Sequence, residues 1–197
     1  AYCLTIEEGT PFHRMLQEGR LALPAEEVQA DMYRAVVGRL ERAGLLRYEV
    51  SNFARSGRES RHNLNYWRHG SYLGLGPGAH SFWEGFRFAT VALPEAWQAA
   101  VERFASEGRP RLSLLERLTP RQRMDERIML GLRLAEGVDR GRFHRDFGCW
   151  PEEAYPDAPW DELEERGLLA RGPGWVRLTP EGFLVADAVV ARLLAGD

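Results

Sequence analysis

The sequence contains no lysine, and all 26 of its basic residues are arginine. Enzymes that form a Schiff base through lysine, anchor pyridoxal phosphate on it or use a P-loop lysine are therefore excluded. The only cysteines are Cys3 and Cys149. They cannot supply the four thiolates of a zinc ribbon or an iron–sulfur cluster, and they predict no disulfide framework. This cysteine usage favours a reducing, cytoplasmic setting.

Long apolar runs and a strong charge imbalance are also lacking. No stretch approaches the roughly 18 apolar residues of a membrane span, and the N-terminus has no signal-peptide pattern. A formal net charge of −3 argues against nucleic acid or an anionic membrane as the main partner. The 197 residues are enough for a core in one or two domains. Because the chain starts at Ala1 inside an apolar run, we expect a longer parent protein.

Residues 1–90 alternate between strand-like and helix-like segments. Apolar runs predict strands at Tyr2–Ile6, Leu46–Val50 and Tyr72–Gly76. Between the first two, a helix-type period from Pro24 to Gly44 predicts a helix. The apolar face of that helix consists of Val28, Met32, Val36 and Leu40. This order is typical of a parallel βα unit, so the predicted class of this part is α/β, as in the last part of a (β/α) barrel.

Residues 111–197 predict a helical α+β domain with a two-stranded wing, and residues 91–110 predict a linker with a helix at Pro94–Phe104. A capping box formed by Thr119 and Gln122 marks the start of its first helix. The predicted elements are, in order, a helix from Thr119 to Gly137, a helix over Arg140–Phe147, a helix over Trp160–Arg166, a hairpin over Leu168–Leu178 and a last helix from Thr179. Together they resemble a winged-helix domain.

A winged helix raises the hypothesis of DNA binding. The expected recognition helix, Trp160–Arg166, carries four acidic residues, which would repel DNA phosphates. A wing of this shape serves equally well as a packing or interaction module. The sequence therefore predicts no nucleic-acid partner.

The densest polar and aromatic cluster lies at Ser60–Gly70. A neutral His62 imidazole can bind haem iron, and the rings of Tyr66 and Trp67 can cover a macrocycle face. Asn63 can orient polar groups of such a ligand by hydrogen bonds. On these residues alone the alternative is a loop pinned by an aromatic anchor, with His62 hydrogen-bonded to the backbone.

A second candidate is the glycine-rich segment that follows. Gly74, Gly76 and Ala79 fit the spacing of the dinucleotide fingerprint, but the residues after them do not read as a helix, which that motif requires. One alternative is a strand end where backbone at Gly76 and Gly78 approaches a ligand closely, with His80 at the mouth of the sheet. The other is a plain tight turn.

Three polar residues stand where the predicted strand Leu46–Val50 ends: Glu49, Ser51 and Asn52. In α/β folds ligands bind at the carboxyl ends of strands. Position alone makes these three residues candidates for a pocket.

Three segments carry a resemblance to a known family: Arg47–Ala54 (RYEVSNFA), Ser60–Trp67 (SRHNLNYW) and Tyr72–Ser81 (YLGLGPGAHS). They are similar to the radical-SAM haem chaperone family, also described as oxygen-independent coproporphyrinogen III oxidase-like. In the second half, Arg127–Leu134 and Leu178–Asp187 resemble the C-terminal domain of that family. The likeness covers essentially the whole chain, and its most specific piece is the H-N-x-x-Y-W stretch.

The resemblance implies a fold and a site. Residues 1–90 would be the C-terminal segment of an incomplete (β/α) radical-SAM barrel, and residues 111–197 the winged C-terminal domain. Haem would bind at the H-N-x-x-Y-W residues, with His62 as the iron ligand. Those residues are His62, Asn63, Tyr66 and Trp67, and the weaker candidates are Gly76, Gly78 and His80. The implied partner is a haem-acceptor protein, membrane-associated acceptors included.

The family's cluster motif, C-x-x-x-C-x-x-C, has no counterpart here, and Cys3 and Cys149 do not match it. We therefore expect a C-terminal portion that alone binds no [4Fe–4S] cluster and performs no radical chemistry, while the full-length protein uses the cluster and S-adenosyl-L-methionine. The implied function is holding haem and transferring it. The alternative is a coproporphyrinogen III dehydrogenase that decarboxylates propionates with a SAM-derived radical. The Asn-Leu-Asn-Tyr-Trp continuation after His62 favours the chaperone.

Overall fold

The computed structural model describes residues 1–2, 4–108 and 111–195. The first half contains α1 (Pro11–Gln17), α2 (Glu26–Arg42), β1 (Leu46–Arg47), β2 (Phe53–Ala54), α3 (Arg61–Trp67), β3 (His80–Trp83), β4 (Phe86–Thr90) and α4 (Pro94–Glu107). The second half contains β5 (Leu112–Arg117), α5 (Pro120–Gly131), β6 (Val138–Asp139), α6 (Arg140–Phe147), α7 (Pro151–Ala154), α8 (Trp160–Glu165), β7 (Leu169–Arg171), β8 (Trp175–Leu178), α9 (Pro180–Leu184) and α10 (Ala186–Leu194). The expectations for Cys3 and residues 109–110 lie outside the described residues.

The described strands form three antiparallel sheets. Strand β1 pairs with β2, the second sheet has the order β3-β4-β5, and the third has the order β6-β8-β7. The parallel βα unit predicted for the first half is therefore absent among the described strands. Strand β1 turns back on β2 because the chain reverses after Val50, where the Tyr48 amide donates to the Asn52 carbonyl at 3.2 Å. The predicted strand at Tyr72–Gly76 is reduced to one bridge between Tyr72 and Phe82, and Leu4–Ile6 belongs to no strand.

The main core lies in the second half. The helices predicted at Arg140–Phe147 and Trp160–Arg166 form as α6 and α8, and the predicted hairpin forms as β7 and β8. Their apolar side chains meet in one cluster. Its largest fully buried members are Phe143, Ile128, Leu132, Leu163 and Leu169. Ile128 and Leu132 stand four positions apart along α5 and its C-cap, so one side of this helix faces the cluster.

Two helix boundaries in this half differ from the prediction. The helix that begins at Thr119 has the predicted capping box but ends at Gly131, six residues early. A Cβ at Gly131 would lie 2.8 Å from the Val138 side chain, so the chain turns at the point where it packs against β6. The predicted last helix is divided into α9 and α10 at Val185, whose φ of −125° and ψ of 30° are not helical.

Helix α2 forms as predicted, but the prediction that its apolar face is buried is wrong. Val28, Met32 and Val36 are exposed, and Leu40 is half-buried. Within the described part of the chain no element covers this face, so periodicity located the helix correctly but not its environment. In the same described part, no helix is both long enough and apolar enough to cross a membrane.

Among the described residues, two sets of backbone hydrogen bonds join the first half to the second. The segment Tyr48–Val50 runs antiparallel to Arg133–Ala135: the Val50 amide donates to the Arg133 carbonyl at 2.9 Å, and the Ala135 amide donates to the Tyr48 carbonyl at 3.0 Å. We call this pairing the strap. Strand β5 also pairs with β4 along its length. The division into domains at residues 1–90, 91–110 and 111–197 stays a prediction. Within residues 91–110, the helix predicted at Pro94–Phe104 forms as α4 and continues to Glu107.

The packing of α9 makes a testable prediction. A Cβ added at Gly182 would lie 1.9 Å from the Leu168 carbonyl oxygen, and backbone cannot yield as a side chain can. We expect Gly182→Ala to lower the free energy of unfolding by about 1–3 kcal/mol. In the matched control, Gly38→Ala inside α2, the added Cβ meets only Arg42 Nη1 at 3.6 Å. That control should raise stability by about 0.5–1 kcal/mol, since alanine favours helix. Urea unfolding measures the free energy of unfolding of both variants. Equal changes in the two variants would contradict the close packing of Gly182 against the Leu168 carbonyl.

Candidate functional site

The segment Ser60–Trp67 forms a short helix, not the pinned loop of the alternative interpretation. Ser60 Oγ accepts a hydrogen bond from the Asn63 amide at 3.3 Å and so caps α3. After the helix the chain folds back onto it. Asn65 Nδ2 donates to the Ser71 carbonyl at 3.1 Å, and a Cβ at Gly70 would lie 2.2 Å from Asn65 Oδ1. Asn65 therefore fixes the turn that follows the helix.

His62 and Tyr66 lie four residues apart and share one side of α3. Their rings meet edge to face with centroids 4.8 Å apart, and Tyr66 in turn meets Tyr72 at 4.6 Å. His62 is exposed, and no hydrogen bond from the described part of the chain occupies its ring nitrogens. The imidazole is thus supported by an aromatic ring while its nitrogens stay accessible to a ligand.

Asn63 and Trp67 share a different side of the same helix. With Tyr66 they line a cavity of about 320 Å³ whose other residues include Glu49 and Ser51–Asn52. The structure therefore brings the three polar residues at the end of the Tyr48–Val50 segment to the H-N-x-x-Y-W helix. We call this space the Glu49 cavity.

Glu49 is fully buried beside this cavity. Its Oε2 accepts a hydrogen bond from the Ser51 amide at 3.2 Å, while Oε1 has no hydrogen-bond partner among the described residues. An unpaired buried polar atom costs about 1–3 kcal/mol. Each such atom in a folded protein calls for an explanation, and its unpaired carboxylate oxygen distinguishes Glu49 from the apolar residues of the core.

The glycine-rich segment packs on the protein itself. A Cβ at Gly74 would lie 2.2 Å from the His80 carbonyl oxygen, and the Gly74 amide donates to Ser81 Oγ at 3.0 Å. The close backbone approach that glycine permits here is made to strand β3. Because a strand and not a helix follows, the dinucleotide fingerprint is excluded.

The remaining candidates of that segment lie in its turn and strand. Gly76 and Gly78 have φ values of 106° and 68°, which favour glycine. Thr90 Oγ1 donates to the Gly76 carbonyl at 2.6 Å and holds the turn on β4. His80 is exposed and pairs with Ala89. These residues form a turn and a strand end, connected to α3 through the contact between Tyr66 and Tyr72.

The structure adds one group that sequence reasoning missed. His69 Nε2 lies 2.9 Å from Glu126 Oε2, and Arg87 binds the other oxygen of the same carboxylate. The imidazole stacks on Phe82 with centroids 4.5 Å apart. The side chain of His69 is only 7% exposed and that of Glu126 only 15%. Burial is the main cause that lowers the pKa of His69, although the carboxylate opposes it.

This network connects three parts of the fold. His69 follows α3, Arg87 lies in β4, and Glu126 lies in α5. It therefore holds the end of the H-N-x-x-Y-W helix against the hairpin and the C-terminal half. Its partners stand 39 and 57 residues apart in the chain, so no local pattern in the sequence indicates it.

Comparisons with known proteins agree with the family resemblance of the sequence. The chain is 36% identical over 193 residues to the haem chaperone HemW of Bacillus subtilis, covering 98% of this chain and 50% of the relative. It is 37% identical over 194 residues to HemW of Mycobacterium tuberculosis strain H37Rv, covering 98% and 46%. Residues 118–185 match the HemN C-terminal domain. The chain is therefore similar to HemW haem chaperones along almost all of its own length. It spans about half the length of these relatives.

A solved structure is similar in fold. Coproporphyrinogen III oxidase (HemN) from Escherichia coli, described as a radical SAM enzyme, superposes with a TM-score of 0.65 and covers 88% of this chain and 42% of its own. Sequence identity in that alignment is 14%. This chain therefore shares the mixed α/β fold of the HemN region that it covers.

The His69 network predicts a pH dependence. Because the folded state holds the pKa of His69 below its ordinary value of 6.5, the unfolded chain binds the proton more readily, and stability falls as the pH drops below that value. We expect His69→Asn, which tolerates the positive φ at this position, to lose less stability than the wild type between about pH 7.5 and about pH 5.5. Urea unfolding at both pH values measures the difference.

A control for this measurement is His80→Asn, which replaces an exposed histidine. It should show the same pH dependence as the wild type. If His69→Asn also matches the wild type, burial of the imidazole does not contribute to acid sensitivity.

Proposed function

We propose that this chain holds haem with His62 as an iron ligand and releases it to an acceptor protein. One observation carries the proposal: His62 stands exposed on α3 with accessible ring nitrogens, supported by Tyr66, within a chain that matches HemW haem chaperones over 98% of its length. Neutral imidazole is a common axial ligand of haem iron. The acceptor can be soluble or membrane-associated.

The geometry around His62 suits a carrier. A haem ligated on the surface of α3 is open to solvent on one side, so an acceptor can approach it without unfolding the carrier. Tyr66 fixes the ring plane of His62 by its edge-to-face contact. Asn63 and Trp67 lie on the neighbouring side of the helix, where they can contact the rim of a bound macrocycle.

The finer fold is part of the proposal. We take the first half as the last part of a radical-SAM barrel, which the likeness to HemN supports. We take the second half as a winged helix, because β6 follows α5, the β7–β8 hairpin follows α6 and α8, and the three strands form a sheet of order β6-β8-β7 in which this hairpin is the wing. Three acidic residues of α8 form salt bridges with arginines: Asp161 and Glu164 with Arg171, and Glu162 with Arg192. This supports a wing that packs rather than one that binds DNA.

We place the cofactor chemistry of the family outside this chain. The chain has two cysteines and no C-x-x-x-C-x-x-C motif, so we assign no [4Fe–4S] cluster, no S-adenosyl-L-methionine site and no radical step to it. We propose that the full-length protein uses both cofactors in the cytoplasm. For this chain the proposal is limited to haem binding.

A titration of the purified protein with haemin tests the iron ligand. We expect His62→Ala to remove the Soret shift of the wild type and to weaken binding at least tenfold, since a metal–ligand bond is lost. Trp67→Leu should retain the Soret position and weaken binding by about 1 kcal/mol, because only ring contact is lost.

The matched control is His80→Ala, which removes another exposed histidine from β3. It should bind haemin as the wild type does. If His80→Ala removes the Soret shift and His62→Ala does not, the ligand assignment is wrong, and the glycine segment is the haem site.

A further inference from the structure

A second cleft lies between α3 and the C-terminal sheet. Its volume is about 470 Å³, within the range of small-molecule sites. Trp67 contributes to it from α3 and Trp175 from β8, while Arg127 and Arg142 contribute from α5 and α6. We call it the Trp67–Trp175 cleft. It is distinct from the Glu49 cavity, with which it shares Trp67.

Arg127 is an unusual residue for a cleft wall. The residue is 9% exposed, and its Nη2 donates to Asp146 Oδ2 at 2.9 Å. Its Nε is buried and has no hydrogen-bond partner among the described residues. Burial lowers the pKa of Arg127, and the positive charges of Arg142 and Arg123 lower it further. A buried guanidinium with a free donor and cationic neighbours favours the arrival of an anion.

The two carboxylates that line the cleft, Glu136 and Asp139, already have hydrogen-bond partners. Glu136 receives two hydrogen bonds from Arg68, at 2.9 and 3.1 Å. Asp139 Oδ1 accepts from the Arg142 amide at 2.8 Å and caps α6.

Arg127 and Arg142 also have to share one carboxylate, that of Asp146. Arg142 Nε lies 3.7 Å from Asp146 Oδ2, beyond hydrogen-bond distance, while Arg127 holds the same oxygen. With Arg123 nearby as a third cation, this corner of the cleft has more positive than negative charge. A ligand carboxylate can supply the missing negative charge, and the guanidinium groups of Arg127 and Arg142 can both donate hydrogen bonds to it.

The tryptophans add a preference for a flat ligand. Both are half-buried, so each offers part of its indole to the cleft. The guanidinium of Arg177 already covers the Trp175 ring at 4.0 Å, which holds that side chain in place. Aromatic walls beside arginines are the combination that recognises an aromatic ring bearing carboxylates.

We propose that the Trp67–Trp175 cleft binds the carboxylate-bearing edge of a flat aromatic ligand, with Arg142 and Arg127 contacting the carboxylate. Applied to haem, this deepens the proposed function and rests on it: the propionate edge lies in the cleft, and Trp67 contacts the ring between the cleft and α3. No covalent step is involved.

The test uses metal-free protoporphyrin IX and its dimethyl ester, which has no negative charges. Because neither contains iron, their binding does not depend on ligation by His62. We expect the wild type to bind the diacid about tenfold more tightly than the ester, as measured by quenching of tryptophan fluorescence. Arg142→Gln should weaken the diacid about tenfold and leave the ester unchanged.

Arg145→Gln is the matched control, because it removes the same charge from an exposed position three residues further along α6. It should change neither affinity. The cleft assignment is overturned if Arg142→Gln affects diacid and ester alike, if it affects neither, or if neither porphyrin binds.

Haemin titrations separate this proposal from the first. A Soret shift that requires His62 but is insensitive to Arg142→Gln retains the iron ligand and overturns the cleft. Binding of the diacid that depends on Arg142, together with a haemin Soret that is unchanged in His62→Ala, supports the cleft and overturns the iron ligand.

Discussion

The strap between Tyr48–Val50 and Arg133–Ala135 is the contact on which both cavities depend. Its backbone hydrogen bonds place the end of β1 against the end of α5, and Glu49 is enclosed between them. The same segment is held from the other side by the Tyr33 hydroxyl, which donates to the Val50 carbonyl at 3.0 Å. Arg47 adds a contact at 3.8 Å over the Phe183 ring of α9. The first half therefore takes its position from a C-terminal core that is already well packed.

Elements were predictable where the signal is local. The capping box of Thr119 and Gln122 and the hairpin over Leu168–Leu178 depend on residues within a few positions, and the structure has both. The boundaries that failed depend on distant packing. Gly131, the last residue of α5, packs against Val138, and Leu46–Arg47 pairs with β2 while the strap takes up Tyr48–Val50. The periodicity of apolar residues along the sequence indicates neither the end of α5 nor the pairing of β1.

The candidate site divides in the same way. The H-N-x-x-Y-W residues were found from their chemical types, and the helix places His62 with Tyr66 on one side and Asn63 with Trp67 on another. His69 was missed because its meaning comes from Glu126, which lies 57 residues away. Glu49 was noted for its position at a strand end, but its burial with an unpaired oxygen is visible only in three dimensions.

Trp67 is the residue at which these features meet. It lines the Glu49 cavity on one side of α3 and the cleft with Arg127 and Arg142 on the other. A carrier must bind its cargo firmly and still release it, and a single strong bond serves that purpose poorly. The two proposals together give several contacts that an acceptor could replace one at a time: a metal–imidazole bond at His62, ring contact at Trp67 and a carboxylate at the arginines. In the proposed haem complex, the strap and the His69 network hold α3 between the two cavities, so these contacts would keep their register as haem leaves.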